Sequence, residues 1–327
     1  LDGTDVHDAI VIGAGPGGLA VSRQLRSHGV DHIVLERGET VGHTWANLYD
    51  SLVLHTGKHL SALPGLPLPV GTPLFPPRTV FLDYLKRYAD HFGLPVRTGH
   101  EVLGVERNQS GWTVTTRAGS HRARALVLAT GIVANPHKPG FQGESAFGGR
   151  VLHSSEYRRP TPFAGRRVLV VGAGNSAGEI AAELAGSGVS VCLAVRSGAR
   201  VVPRELLGLP IQYVAWCLAS LPQGARQAVA HLVDKAGRLA RGPAVLPPPP
   251  AAVSTCPDIP LIGFHLVDAI RAGRIVVKPG VEAFDAAGVS FTDGTSAAFD
   301  DVILATGFRA AIGILGNLIR ADDCGFA

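Results

Sequence analysis

Two stretches of this chain repeat one local plan. DAIVIGAGPGGLAVSRQLRSHGVDHIVLERGE (8–39) and RRVLVVGAGNSAGEIAAELAGSGVSVCLAVRSG (166–198) each read as an apolar run, a glycine-rich turn, an amphipathic run stopped by glycine, and a second apolar run. In the first copy the pattern predicts a strand over Ala9 to Ile12, a helix ending at Gly29 and a strand ending at Glu36. In the second it predicts a strand over Val168 to Val171, a helix ending at Gly188 and a strand ending near Arg196. Each is a βαβ unit, and a chain with two such units is constrained to parallel sheets flanked by helices.

The repetition extends further. ALVLATGI (125–132) and DVILATGF (301–308) close the two halves, and the short alternating segments GWTVTTRAG and GVSFTDGT precede them as β-meander candidates. The chain reads as an internal duplication. Gly13 and Gly131 are 118 residues apart and Gly172 and Gly307 are 135 apart, so the second half carries about 17 more residues. These fall within 198–260, where the apolar run Leu206 to Leu221 and the run Pro247 to Pro250 lie. The expected fold class is α/β, with two Rossmann-like dinucleotide-binding domains, each carrying a β-meander insertion. A length of 327 residues suits two cores.

Each glycine turn follows a strand and opens a helix, the context that gives GxGxxG its meaning. Gly13 allows the tight turn, Gly15 lets backbone approach a pyrophosphate, and Gly18, after Gly17, allows close helix packing. The helix N-terminus then faces the phosphates. Glu36, followed by Arg37, ends the first unit and suits ribose hydroxyls; Arg196 and Ser197 end the second. A carboxylate repels a 2′-phosphate, whereas a guanidinium pairs with it bidentately. The second turn, Gly172, Gly174, Asn175 and Ser176 with Ala177 as third glycine, therefore reads as an NADPH site. Two dinucleotides are useful together when one is a flavin, so the first turn is expected to hold FAD. Thr130 with Gly131 and Thr306 with Gly307 complete the cofactor-side candidates.

Composition narrows the class. The chain is 46% hydrophobic and 17% charged, which excludes extended disorder. A net charge of +4 comes with no run of basic residues interleaved with aromatics, so no nucleic-acid partner is expected. Cys192, Cys217, Cys256 and Cys324 are widely spaced without a CxxC pair, which argues against a disulfide framework, a metal site and a dithiol centre and fits the cytoplasm. The opening LDGTDVHD does not read as a signal peptide, and Leu206 to Leu221 contains Pro210 and Gln212 and falls short of a membrane span. No integral membrane segment is expected.

FGGRVLHSSEY (147–157) contains Phe147, Gly149, His153 and Tyr157 in the pattern FxGxxxHxxxY, which resembles the fingerprint of class B flavin-dependent monooxygenases, the flavin-containing monooxygenase family. Baeyer–Villiger enzymes carry a related motif with Trp where this chain has Tyr157. YDSLVLHTGK, VVPRELLG and FDDVILATGF resemble segments of the YUCCA-like branch. Gly42 and Trp45 resemble the family's flavin-side Gly-x-x-Trp, without its common second glycine.

The resemblance implies an FAD domain over 1–146, to which 308–327 begins to return, and an NADPH domain over 147–307 opened by the linker motif, with an insertion at about 201–260. It implies that His153 and Tyr157 help hold the nicotinamide against the flavin. His55 stands where many members carry Asn near the flavin, although the YUCCA-like branch has His. The implied reaction reduces FAD with NADPH and lets a flavin C4a-(hydro)peroxide transfer one oxygen atom from O2 to a small organic substrate. That substrate is either an aromatic 2-oxo acid, whose carboxylate would suit Arg204, or a soft nitrogen or sulfur nucleophile. Residues 201–260 read either as a substrate entrance or helical cap, or as helices packed on the NADPH domain or on the partner in a homodimer. An NADPH-dependent electron transferase and a non-catalytic FAD and NADPH sensor are the competing readings.

A charge-assisted phosphate pair contributes about 1.5–3 kcal/mol, or roughly ten- to a hundred-fold in affinity. Arg196→Ala is therefore expected to narrow the preference for NADPH over NADH by that factor in steady-state kinetics. An unchanged ratio would make Arg196 a surface cation.

Overall fold

In the computed structural model residues 6–226, 228–229, 244–247, 260–320 and 322 are described. These described residues divide into two compact units, one formed by those within 6–54, 58–136 and 308–322 and the other by those within 55–57 and 137–307. The division falls after Pro136, so 137–146, assigned by the sequence to the first domain, packs with the second. Phe141 and Phe147 cause this: both join a core cluster with Phe284, Phe291 and Phe299.

The first unit is built on β1 (Val6–Ile12), α1 (Pro16–Ser27), β2 (His32–Leu35), α2 (His43–Ala46), α3 (Lys58–Ser61), α4 (Arg78–His91), β3 (Val96–Arg97), β4 (Val102–Asn108), β5 (Gly111–Thr116) and β6 (Gly119–Leu128). Its sheet has the order β3-β2-β1-β6-β5-β4. The strands from β3 to β6 pair in parallel, whereas β4, β5 and β6 pair antiparallel. The expected meander is therefore continuous with the parallel sheet. The ten-residue strand β6 lacks a break, so its first residues pair with β5 and its last with β1.

Helix α4 shows how apolar spacing builds this core. Phe81, Tyr84, Leu85, Tyr88 and Ala89 recur at helical intervals and are all buried. The two tyrosines also satisfy their polar ends. Tyr84 Oη donates to Leu66 O at 2.7 Å and accepts from Leu63 N at 2.6 Å, and Tyr88 Oη donates to Pro64 O at 2.7 Å. Burial of aromatic bodies thus also orders the loop around 63–66.

The second unit comprises β7 (Arg150–His153), β8 (Arg167–Val171), α5 (Asn175–Gly186), β9 (Ser190–Ala194), β10 (Val201–Val202), β11 (Glu205–Leu206), β12 (Leu209–Pro210), α6 (Ile211–Leu218), β13 (Leu261–Ile262), α7 (His265–Arg271), β14 (Ile275–Lys278), β15 (Val281–Phe284), β16 (Gly288–Phe291), β17 (Ser296–Ala298) and β18 (Asp301–Leu304). A five-stranded parallel sheet has the order β14-β9-β8-β18-β7, and β15-β16-β17 form a separate antiparallel meander. Here the chain does break between β17 and β18. The buried Asp301 carboxylate anchors the restart by accepting from Arg150 Nε at 2.8 Å and from Arg166 Nε.

Both expected βαβ units are present. The observed strands begin earlier than the apolar runs, at Val6 and Arg167, and β9 ends at Ala194, two positions before Arg196. Within the apolar run the structure places α6, in which no residue is buried. The stretches 230–243 and 248–259, including most of the proline run, lie outside the described residues, as do Cys256 and Cys324. Cys192 is buried, with its thiol pushed up to about 11 by loss of solvent, and Cys217 is exposed. Among the described residues, no helix is long and apolar enough to cross a membrane.

Candidate active site

In the first unit β1 ends at Ile12 and the chain turns at Gly13, whose φ of +105° is in the left-handed region. A Cβ there would lie 2.5 Å from Ala129 O, so the turn also requires close approach to the end of β6. At Gly18 a Cβ would lie 1.9 Å from Gly13 O, which makes Gly18 the packing glycine. Gly15 and Gly17 face open space. Gly15 is the N-cap of α1 and supplies no side-chain cap, so the first-turn N–H groups remain directed at that space.

Glu36 lies just beyond β2 and is buried. Its Oε2 accepts from Ala14 N at 2.9 Å and its Oε1 from Gly38 N at 3.0 Å, which fixes the carboxylate against the turn. The neighbouring Arg37 is exposed. Gly42, at φ +70°, donates its N–H to Ala14 O at 3.0 Å and leads into α2. Trp45 on α2 packs edge-on against Phe81, with ring centroids 4.7 Å apart. Thr130 Oγ1 donates to Ala311 O at 3.1 Å, and Gly131 faces open space at φ +68°. These residues fit a dinucleotide: an uncapped helix end, an open glycine and a fixed carboxylate where a ribose would lie.

The second unit reproduces the device. Gly172 has φ +131°, and a Cβ there would lie 2.4 Å from Ala305 O. Gly174 is the uncapped N-cap of α5 and faces open space. Ala177 is buried, Ser176 is half-buried, and Gly178 lies where a Cβ would come within 2.7 Å of Leu261 Cδ1. Arg196 and Ser197 are exposed beyond β9. Gly280 clears the base of Arg196, since a Cβ there would lie 3.3 Å from the arginine's Cβ and Cγ. Thr306 Oγ1 donates to His137 O, and Gly307 has φ +90° with open space. The site fits a second dinucleotide, with a cation at the strand end in place of the acid.

The FxGxxxHxxxY residues are internal to the second unit. Phe147 is buried in its aromatic core, and Gly149 is required because a Cβ would lie 2.5 Å from Asp300 O and 2.6 Å from Phe147 Cε1. His153 ends β7 fully buried, its Nε2 3.1 Å from Gly307 O and its Nδ1 3.0 Å from Ser155 Oγ. Tyr157, also buried, donates to Glu183 Oε2 at 2.9 Å. His153 thus stands at a strand end and Tyr157 in the segment that follows it. The histidine holds the Gly307 turn, and the tyrosine fastens its segment to α5.

A second group gathers around Glu179, on the first turns of α5. Glu179 Oε1 pairs with His55 Nε2. Arg204 is half-buried in the field of Glu179 and Glu205, and His265 lies in the field of Glu179, His55, Arg204 and Asp268. Arg204 directly precedes a tight hairpin formed by β11 and β12. The turn residues Leu207 and Gly208 have φ of +52° and +78°, which is costly for a leucine. His55 and Arg204 were singled out from the sequence; Glu179 and Glu183 were not. Only the spacing of Glu179, one helical turn after Asn175, offered a signal. Its partner lies 124 positions away.

Comparison with known proteins bears on this geometry. The family described as Pyridine nucleotide-disulphide oxidoreductase matches residues 10–204. Indole-3-pyruvate monooxygenase YUCCA1 of Oryza sativa subsp. japonica is 36% identical over 94% of this chain and 78% of its own. Indole-3-pyruvate monooxygenase YUCCA4 of the same plant is 35% identical over 94% and 75%. The solved flavin-containing monooxygenase from Stenotrophomonas maltophilia is similar with a TM-score of 0.77 at 27% identity, over 99% of this chain and 84% of that one.

Burial lowers the proton affinity of His153 below the ordinary imidazole value, and also that of the half-buried His121. As pH falls below about 6.5 the unfolded chain gains protons first, so stability is lost, at up to about 1.4 kcal/mol per pH unit for each group. His153→Gln is expected to reduce that slope between pH 6.5 and 5 in denaturant titrations without abolishing it. An unchanged slope would show that His153 is not held neutral.

Proposed function

We propose an aromatic 2-oxo acid as the substrate of this chain, which belongs to the class B flavin-dependent monooxygenase family, in its YUCCA-like branch. The chain is an NADPH- and O2-dependent flavoprotein monooxygenase that uses FAD. When bound, FAD supplies the chemistry that activates O2 after hydride from NADPH has reduced it. The substrate reading is carried by the two indole-3-pyruvate monooxygenases, which match this chain over nearly all its length.

We assign the flavin dinucleotide to the turn at Gly13 and NADPH to the turn at Gly172. In that assignment the N-termini of α1 and α5 receive the pyrophosphates, Glu36 accepts from a ribose, and Arg196 pairs with the 2′-phosphate. Ser176, Ser197, Arg37, Thr130 and Thr306 belong to the walls of the two sites, and Trp45 backs the first; Asn175 is not among them, because both arms of its amide are bonded to the backbone of Pro260 and Ile262. Arg204 is assigned to the substrate carboxylate, because a half-buried guanidinium presents a planar fork to it. His153 and Tyr157 act by positioning, through the Gly307 turn and α5. The reaction balances as 2-oxo acid, O2, NADPH and a proton giving CO2, the carboxylate one carbon shorter, water and NADP+. Cytoplasmic residence is part of this reading, supported by the free thiols of Cys192 and Cys217. A homodimer would use α6, whose Trp216 is 74% exposed.

The test is turnover of indole-3-pyruvate under 18O2. One CO2 and one indole-3-acetate carrying a single 18O are expected per NADPH. NADPH consumption that yields only hydrogen peroxide, with an oxygenated sulfide or amine formed instead when such a compound is supplied, would contradict the 2-oxo acid.

A further inference from the structure

The second unit contains a closed circuit of polar contacts that begins and ends on one face of α5. Asn175, the first residue of that helix, uses both arms of its amide on backbone: Nδ2 donates to Pro260 O at 3.1 Å, and Oδ1 accepts from Ile262 N at 2.8 Å. The strand so held, β13, pairs in parallel with β10. Leu261 N donates to Arg200 O and Gly263 N to Val202 O, each at 2.9 Å. Two residues beyond β10, Arg204 O accepts from Ile211 N at 3.0 Å, which closes the hairpin onto α6. Gln212 on α6 donates to His55 O at 2.9 Å. His55 then returns to Glu179, four residues after Asn175 and hence on the same face of α5.

Packing supports the same connection. A Cβ on Gly57 would lie 2.5 Å from Tyr213 Oη and 2.9 Å from Pro210 Cγ, so the segment 55–57 lies closely against the hairpin and α6. Glu179 is 16% exposed and His55 24%, so their pairing is partly shielded from solvent. The circuit passes through Arg204 and His55, and of the second glycine motif it involves only Asn175, the first residue of α5.

We propose that Asn175 and Glu179 are positioning residues that fix the segment bearing Arg204 and His55, and thereby set the enzyme's affinity for the carboxylate of its substrate. This rests on the 2-oxo acid reading above. The amide of Asn175 is committed to β13, so its effect on the reaction passes through that strand to Arg204. Glu179 secures the other end through His55. A guanidinium displaced by an ångström loses its bidentate geometry, and substrate is then bound less tightly before chemistry is affected.

The experiment uses the FAD-loaded enzyme with NADPH and indole-3-pyruvate. Glu179→Ala and Asn175→Ala are each expected to raise KM for the 2-oxo acid at least fivefold while kcat changes less than threefold and the Kd for NADP+ less than twofold. Glu179→Gln retains an acceptor for His55 and is expected to recover most of the loss. Amide hydrogen exchange provides a readout independent of turnover. The Ile211 amide, bonded to Arg204 O, is expected to exchange at least tenfold faster in both alanine variants, with Ile180 and Leu184 inside α5 unchanged. A fivefold weaker NADP+ affinity with unchanged substrate KM would overturn the proposal and make the pair nucleotide ligands. Unchanged exchange at Ile211 would overturn it as well. If the wild type does not turn over indole-3-pyruvate, the substrate reading fails, and exchange at Ile211 alone decides whether the circuit holds the segment.

Discussion

Each half of this protein depends on a glycine pressed against the carbonyl of a neighbouring strand. Gly13 approaches Ala129 O and Gly172 approaches Ala305 O so closely that any Cβ would overlap the oxygen, and both have a positive φ. This contact forces the chain to turn at the carboxyl end of the first strand, which directs the following helix N-terminus into open space. The conserved sense of the ATG segments in the two halves follows from the same contact: Ala129 and Ala305 are the residues on which the turns rest. The uncapped N-termini of α1 and α5 are thus a consequence of backbone packing before any side chain contributes.

Side chains then make the two sites different. The acid after β2 is buried and held by two backbone amides, whereas the arginine after β9 is exposed, with only the absence of a Cβ at Gly280 making room for its stem. A fixed carboxylate suits neutral hydroxyls and excludes a phosphate; an exposed guanidinium accepts one. In the proposed reading, hydride transfer to a flavin and oxygen transfer to the 2-oxo acid belong to the cofactors, and the chain's contribution is to hold them and to keep Arg204 in place.

Much of the parallel framework was legible in the sequence because local rules decide it. Glycine spacing, apolar periodicity and the repeated ATG endings are signals within a few residues of the structure they produce. What the sequence concealed depends on distant contacts. Glu179 reads as an ordinary helical acid, and its pairing with His55 exists only after 124 residues of chain have folded between them. Asn175 reads as a phosphate-site residue because it follows Gly174, yet its amide matches the backbone of Pro260 and Ile262. His153 and Tyr157 stood out as a motif, but their burial against Gly307 and Glu183 was not evident from the four-residue spacing. The continuous β6, which joins meander and parallel sheet, was likewise hidden, since alternation and an apolar run in succession look like two strands.

The central claim is that two turns of one build hold different dinucleotides. Gly15 and Gly174 have extended φ and open space around them, so valine at either position leaves the fold intact while filling the approach to a pyrophosphate. The decisive measurement is the flavin content and NADP+ affinity of Gly15→Val and Gly174→Val, with melting temperature as the check on folding. The account predicts a folded, colourless Gly15→Val protein that still binds NADP+ within threefold of wild type, and a yellow Gly174→Val protein with NADP+ affinity at least tenfold weaker. Full flavin content in Gly15→Val, or loss of flavin with normal NADP+ affinity in Gly174→Val, would contradict it.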